Sequence, residues 1–180
     1  WLVNGPPAGE GVSFSGEYIG GDVLTCEVTP FDGESPGTVV SASVTVANTS
    51  PVISGVSIIP TTPHADDTVT CSWSGWYDAD DDADMSIATW LVNGDEGGTG
   101  SSLAAMFTGG NVVSCRVTAF DGTAEGTELS TSVIVLNTAP SAEAAVISPD
   151  PATVLSSLSC SATGYTDLDT GDDDLSEFQW

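Results

Sequence analysis

The sequence predicts an all-β protein of tandem sandwich units, and three observations carry that expectation. The first is self-similarity at a shift of 89 residues, which marks a repeat architecture before any motif is considered. Trp1-Leu2-Val3-Asn4-Gly5 returns as Trp90-Leu91-Val92-Asn93-Gly94, Cys26 as Cys115, and Cys71 as Cys160. Phe31-Asp32-Gly33 returns as Phe120-Asp121-Gly122, and Asn48-Thr49 with Pro51 as Asn137-Thr138 with Pro140. From Trp90 to Trp180 the shift is 90, so one residue is inserted in the second copy after the Asp80/Asp169 position. The second observation is that apolar residues alternate with period two, the period of a half-buried strand. The third is punctuation by Gly, Pro, Asp and Asn at intervals of about 8–12 residues, the strand spacing of sandwiches. No amphipathic helix longer than a turn or two is visible, and a unit of 89 residues is close to the ~100 of a small sandwich domain.

Three strands follow from alternation. Thr68–Ser74 places Cys71 and Trp73 on one face, which predicts a core position for Trp73. Val112–Ala119 places Val113, Cys115, Val117 and Ala119 inward with Arg116 and Thr118 outward. Ser130–Leu136 places Val133 and Val135 inward, as Val44 and Val46 are one repeat earlier. Gly97-Gly98-Thr99-Gly100 reads as a flexible turn between strands.

Composition excludes several function classes. The chain carries 26 Asp+Glu against one Lys or Arg, a formal charge of −25. Nucleic-acid binding needs Lys and Arg to displace phosphate counterions, and Arg116 alone is available; a polybasic membrane contact fails for the same reason. Forty per cent apolar content with 13 aromatics is enough to build a core, so the acidity does not imply disorder. No apolar run approaches the ~18 residues of a spanning helix. Because the chain begins and ends on the repeated Trp, it is expected to be a segment of a longer tandem array.

The chain resembles the tandem immunoglobulin-like and polycystic-kidney-disease-like repeats of large bacterial surface and secreted proteins. The residues carrying this are Asn48-Thr49-Ser50-Pro51, Asp67-Thr68-Val69-Thr70-Cys71, the run Tyr77 to Asp84, Trp90-Leu91-Val92-Asn93-Gly94, and Gly109 to Gly122. The likeness implies an immunoglobulin-type pin, with a second-strand Cys71, a third-strand Trp90 and a later Cys115 packed together. It implies a partial repeat over 1–48, a complete repeat over 49–137, and the start of another over 138–180. Further strands are then expected near Val52–Ile59 and Ile87–Asn93, with an edge segment near Ser101–Phe107. A disulfide between Cys71 and Cys115 would leave Cys26 and Cys160 to pair outside this segment or with a neighbouring copy. The alternative, Cys26 with Cys71, has nearly the same separation and remains open at this level. Recurrent cysteine pairs point to an oxidising, extracellular or cell-surface location. One departure is the missing tyrosine two residues before the later cysteine, where Leu24 and Val113 stand.

Asp78, Asp80, Asp81, Asp82 and Asp84 put five carboxylates into seven residues, and the next copy has Asp167, Asp169, Asp172, Asp173 and Asp174. Alternate Asp residues can turn toward one centre, which suits a hard cation with six to eight oxygen ligands. The candidate ligands are Asp78, Asp80, Asp82 and Asp84 with Asp121 and Asn48, and in the second copy Asp167, Asp169, Asp172 and Asp174. The loop is no EF-hand, since its sixth position is Ala83 and its twelfth Thr89. In the sandwich that the resemblance implies, the acidic loop, Asp121 and Asn48 should converge at the end where the chain enters. Gly20-Gly21-Asp22 of the preceding repeat would abut them. By analogy with cadherin-like repeats, Ca²⁺ would stiffen each junction; a solvated acidic turn or a general halophilic bias is the competing explanation.

Catalytic signatures are sparse. His64 is the single histidine, and Thr153 stands at its place in the next copy. Crowded carboxylates favour a cation over an acid–base pair, and the lack of Lys excludes Lys–Asn isopeptide links. Trp76 and Tyr77 sit at the loop edge, with Tyr165 and Thr166 as counterparts, and are expected to pack at a junction. The expectation is a non-enzymatic extracellular stalk, filament or adhesin spacer that partners neighbouring repeats or copies of itself. A carbohydrate-binding accessory module, which would contact surface glycans, is the alternative.

Overall fold

A computed structural model describes residues 1–104 and 106–179. The described residues are all-β, in twelve strands and four sheets. The N-terminal segment forms β1 (Leu2–Val3), β2 (Val23–Val28) and β3 (Val40–Thr45), an antiparallel sheet in which Cys26 lies opposite Ala42. Next come β4 (Gly55–Ile59), β5 (Thr68–Ser74), β6 (Ile87–Val92), β7 (Asp95–Thr99) and β8 (Ser102–Ala104). They are followed by β9 (Val112–Phe120), β10 (Glu125–Ile134), β11 (Ala144–Ser148) and β12 (Ser159–Thr163). The sheet orders are β4-β5-β8, β10-β9-β6-β7 and the pair β11-β12. No described helix is long and apolar enough to cross a membrane.

Alternation in the sequence is alternation in the structure. Along β9, Val113, Cys115, Val117 and Ala119 are buried and their neighbours are half-buried or exposed. Along β5, Val69 and Cys71 are buried between exposed threonines and serines. Trp90 is fully buried, its indole N–H donating to the Gly100 carbonyl at 2.9 Å. Cys71 and Cys115 form a disulfide that ties β5 to β9, and so one sheet to another, which is consistent with a sandwich. This is the pairing implied by the immunoglobulin resemblance, not the Cys26–Cys71 alternative; Cys26 and Cys160 are half-exposed and form no disulfide within the chain.

Several expectations change. Residues 97–99 are not a flexible turn: they belong to β7, whose Thr99, Gly98, Glu96 and Asp95 lie opposite Thr89, Trp90, Leu91 and Val92, with a bulge between Trp90 and Leu91. The cause is Asn93-Gly94, both at positive φ (53° and 94°), the two-residue combination that closes a tight hairpin. β10 begins at Glu125, five residues before the alternation does, and ends at Ile134. Of the expected edge segment, Ser102–Ala104 forms β8 and Ala105 lies outside the described residues, as does the repeated Trp180. Trp73 has the inward parity of Cys71 but is only half-buried, because its indole reaches the chain's surface and donates to Asp84 at 2.7 Å.

Packing divides the chain into two compact units: Trp1–Gly55 with Trp73–Ile87 and Val117–Leu129, and Val56–Ser72 with Ala88–Arg116 and Ser130–Trp180. The repeat boundaries expected at 48/49 and 137/138 are drawn from sequence and lie inside the first and second unit respectively. The first unit buries Ile53, Val117, Ala119 and three carboxylates, Asp78, Asp80 and Asp121. The second buries Trp90, the disulfide, Val69, Val113, Val135 and Asp169.

Candidate metal centre

Buried carboxylates are the most informative polar feature of an acidic chain, since burying a charge is costly unless something compensates it. In the first unit the Val52↔Tyr77 bridge fixes the start of the acidic loop. Asp78 then turns inward and accepts from the Asp80 backbone N–H at 2.7 Å through Oδ1. Its Oδ2 is buried and has no hydrogen-bond partner, and Asp78 as a whole is 5% exposed. Asp78, Asp80 and Asp82 each bring a carboxylate oxygen within 4.8 Å of the others. Oxygens that share one Ca²⁺ at 2.3–2.6 Å can lie at most about 5 Å apart, so the spacing fits a common ion. The charge density has a visible consequence: burial, then repulsion from Asp78, Asp121 and Asp80, pushes the Asp82 carboxyl above its ordinary range.

Asp80 has a different role. It accepts from the backbone N–H of Thr49 at 2.5 Å through Oδ2 and from Gly20 at 2.6 Å through Oδ1. These two hydrogen bonds, Thr49 first, hold its carboxyl below the usual range. One side chain thereby joins the acidic loop, the linker at Asn48–Thr49 and the turn at Gly20. Gly20 is required there, because a Cβ would stand 2.9 Å from the Asp80 carboxylate and 3.1 Å from the Asn48 backbone. Beside it, the Asn48 side-chain amide donates to Asp121 at 2.9 Å, and Asp121 also accepts from Thr123 and Ala124 at 2.6 Å each. The Asn48 contact, followed by these turn bonds, lowers the Asp121 carboxyl.

The second unit repeats the arrangement. Asp169 accepts from Thr138 and Gly109 backbone N–H groups at 2.5 Å each and from the Thr108 hydroxyl at 3.2 Å. The Thr138 bond, working against burial, lowers its carboxyl. A Cβ on Gly109 would meet the Asp169 carboxylate at 2.9 Å, as on Gly20. Asp167, Asp169 and Asp172 form a second cluster within 4.8 Å. Asp172 therefore occupies the place of Asp82, which narrows the inserted residue to the stretch between Asp169 and Asp172.

Two expected ligands stand elsewhere. Asp84 accepts from the Trp73 indole and from the Ser86 N–H, and these bonds outweigh burial to lower its carboxyl. Asp174 caps Ser176 through backbone and hydroxyl contacts at 3.0 and 2.5 Å. Both are turn caps outside the clusters. The expected convergence of Asp121, Asn48 and Gly20 with the acidic loop is present in the first unit. What sequence reasoning missed is the clamp itself, although its signal was there: Gly20/Gly109, Thr49/Thr138 and Asp80/Asp169 all recur at the same shift of 89. No family model and no curated protein matches the chain.

Proposed function

We propose that this chain is a structural, non-enzymatic segment of an extracellular stalk, filament or adhesin spacer, built of immunoglobulin-like sandwich repeats whose junctions are stiffened by carboxylate clamps and Ca²⁺. The observation that carries the reading is the recurrence of one device: a buried aspartate, Asp80 or Asp169, that ties an acidic loop to the linker and to the preceding turn. A device that recurs where repeats meet serves the joint rather than a single site. The unpartnered, buried Oδ2 of Asp78 beside Asp80 and Asp82 supports a cation. All-oxygen, flexible loop ligation favours Ca²⁺ over the smaller Mg²⁺, which demands near-ideal octahedral geometry. The disulfide supports an oxidising, extracellular location.

The cation would be held by Asp78, Asp80 and Asp82, whose carboxylate oxygens lie within 4.8 Å of one another, with Asp80 also serving the clamp. It would neutralise the repulsion that raises Asp82 and satisfy the orphan oxygen of Asp78. The test is thermal unfolding with Ca²⁺ and with a chelator. Ca²⁺ should raise the melting temperature, and Asp78→Asn should remove the first cluster's share of that gain. Identical melting curves in both conditions would overturn the cation; a chain that binds Ca²⁺ yet hydrolyses a glycan or peptide would overturn the structural role.

A further inference from the structure

Asp80 is claimed twice, by the acidic cluster and by the clamp, and its hydrogen bonds decide whether the two uses compete. An ionised carboxylate offers about four lone-pair sites, two on each oxygen. The Gly20 N–H takes one on Oδ1 at 2.6 Å, and the Thr49 N–H takes one on Oδ2 at 2.5 Å. The Thr49 hydroxyl is a third, lesser donor, which still leaves a site open. An ion and the clamp can therefore hold the same side chain at once.

Repulsion fixes the sign of the coupling. Three carboxylates whose oxygens lie within 4.8 Å of one another push apart when no cation lies between them, and an untethered Asp80 would swing away. The two backbone donors hold it against that repulsion. They come from chain segments 60 and 31 residues distant, so the placement of Asp80 is not a property of the acidic loop alone. Asp78 depends on it in turn, because its Oδ1 accepts the Asp80 N–H while its buried Oδ2 has no partner. The turn can come this close only because position 20 has no side chain: a Cβ there would stand 2.9 Å from the Asp80 carboxylate and 3.1 Å from the Asn48 backbone.

We infer that the Gly20 turn is a positioning element of the first ion site, so that Ca²⁺ binding and closure of the joint are one linked equilibrium in which each strengthens the other. The inference rests on the reading of Asp78, Asp80 and Asp82 as a Ca²⁺ site. Linkage makes the effect reciprocal: the factor by which an open clamp weakens Ca²⁺ binding is the factor by which bound Ca²⁺ suppresses opening of the clamp. Hydrogen-bond partners that orient a metal-ligating side chain contribute about 10–100-fold to affinity. A joint built this way reports its own closure. A load that parts the turn from the acidic loop also releases the ion, and loss of the ion loosens the turn.

Two measurements on the full chain test the two directions. In Ca²⁺ titration calorimetry of Gly20→Ala, the ion that Asp78→Asn removes should bind about 10–100-fold more weakly than in the unsubstituted chain. The reverse direction needs no variant, and it decides alone if Gly20→Ala does not fold. Between chelator and saturating Ca²⁺, hydrogen exchange at the Gly20 and Thr49 amides should slow by about that same factor. The Gly21 amide lies in the same turn but donates to the Val46 carbonyl, so it should slow less. A chain without any binding heat that Asp78→Asn removes would overturn the ion site and the linkage together. Ca²⁺ bound with unchanged affinity in Gly20→Ala, or slowing the Gly20, Thr49 and Gly21 amides equally, would leave the ion site standing and overturn the linkage.

Discussion

Asp80 and Asp81 are adjacent, carry the same charge and differ in almost everything else. Asp80 is buried and accepts two backbone N–H groups from chain segments 31 and 60 residues away, whereas Asp81 is exposed. Hydrogen bonds to a charged acceptor are about twice as strong as neutral ones, and removing one partner leaves the other unsatisfied. Asp80→Asn, which keeps the shape and one acceptor oxygen, should lower the melting temperature clearly, while Asp81→Asn should leave it unchanged or raise it by relieving repulsion. Thermal unfolding of the two variants, equal in net charge, checks this. Acidification reads the same bonds. The Thr49 and Thr138 N–H groups hold Asp80 and Asp169 below the ordinary range, and Ile19 and Ser35 N–H groups do so for Asp22 and Asp32. A depressed carboxyl stabilises the fold above its unfolded value, about 3.9, and that stability is lost as pH falls through the folded value. Asp82, raised by burial and by Asp78, acts in the opposite sense and recovers stability on protonation. With Asp84, Asp121 and Asp174 also held low, seven depressed carboxyls outweigh the one raised, so in chelator the melting temperature should fall steadily below about pH 5. A flat profile down to pH 3 would contradict the clamp.

At the scale of elements, close approach decides what the strands can carry. Gly126 lies in β10, where an added Cβ would stand 1.6 Å from the Pro51 carbonyl oxygen. That oxygen accepts the Thr127 N–H at 3.2 Å, while the Thr127 hydroxyl takes the Ile53 N–H at 2.8 Å. The linker after Asn48 is thus laid against β10, and backbone meets backbone with no room for a methyl group. Gly126→Ala should cost about 1–3 kcal/mol, the usual range for overpacking, with denaturant unfolding as the measurement; a cost near zero would mean that the linker is free to move away. These elements also show what a sequence discloses. β5 and β9 were legible because a buried face imposes period two on consecutive residues, Val69 and Cys71 in one, Val113 to Ala119 in the other. β7 was not, because Asp95-Glu96-Gly97-Gly98-Thr99 has no apolar face and owes its strand to the Asn93-Gly94 hairpin and the pairing it enforces. The start of β10 was hidden for a related reason, since Gly126 and Thr127 are placed by contacts to Pro51 and Ile53 that lie more than 70 residues away. In the candidate site, the acidic loop was readable from Asp spacing, and its convergence with Asn48 and Asp121 from the sandwich that the immunoglobulin-like resemblance implies. The division of labour among the aspartates was not, because Asp80 and Asp84 are distinguished by the partners that three-dimensional packing delivers, Thr49 and Gly20 for one, Trp73 and Ser86 for the other.

For the whole molecule, a charge of −25 on 180 residues sets two effects that a single salt titration would confuse. Like charges repel throughout the chain, and any electrolyte screens them, with a Debye length of about 10 Å at 0.1 M. Sodium chloride alone should therefore raise the melting temperature from low ionic strength. Specific ligation adds a separate contribution, because an ion that binds the folded state and not the unfolded one stabilises by mass action and saturates with its own dissociation constant. The clusters at Asp78/Asp80/Asp82 and Asp167/Asp169/Asp172 predict two such sites. Ca²⁺ added at a fixed, screening level of sodium chloride should still raise the melting temperature and then plateau, whereas Mg²⁺ at the same ionic strength should achieve less. Calorimetric titration should resolve about two ions per chain, the count of the clusters, with the site containing the orphaned Asp78 oxygen lost on Asp78→Asn and the other retained. If calcium, magnesium and matched sodium chloride give superimposable curves, the acidic loops act through charge density alone and the joints depend on the Asp80 and Asp169 clamps without metal.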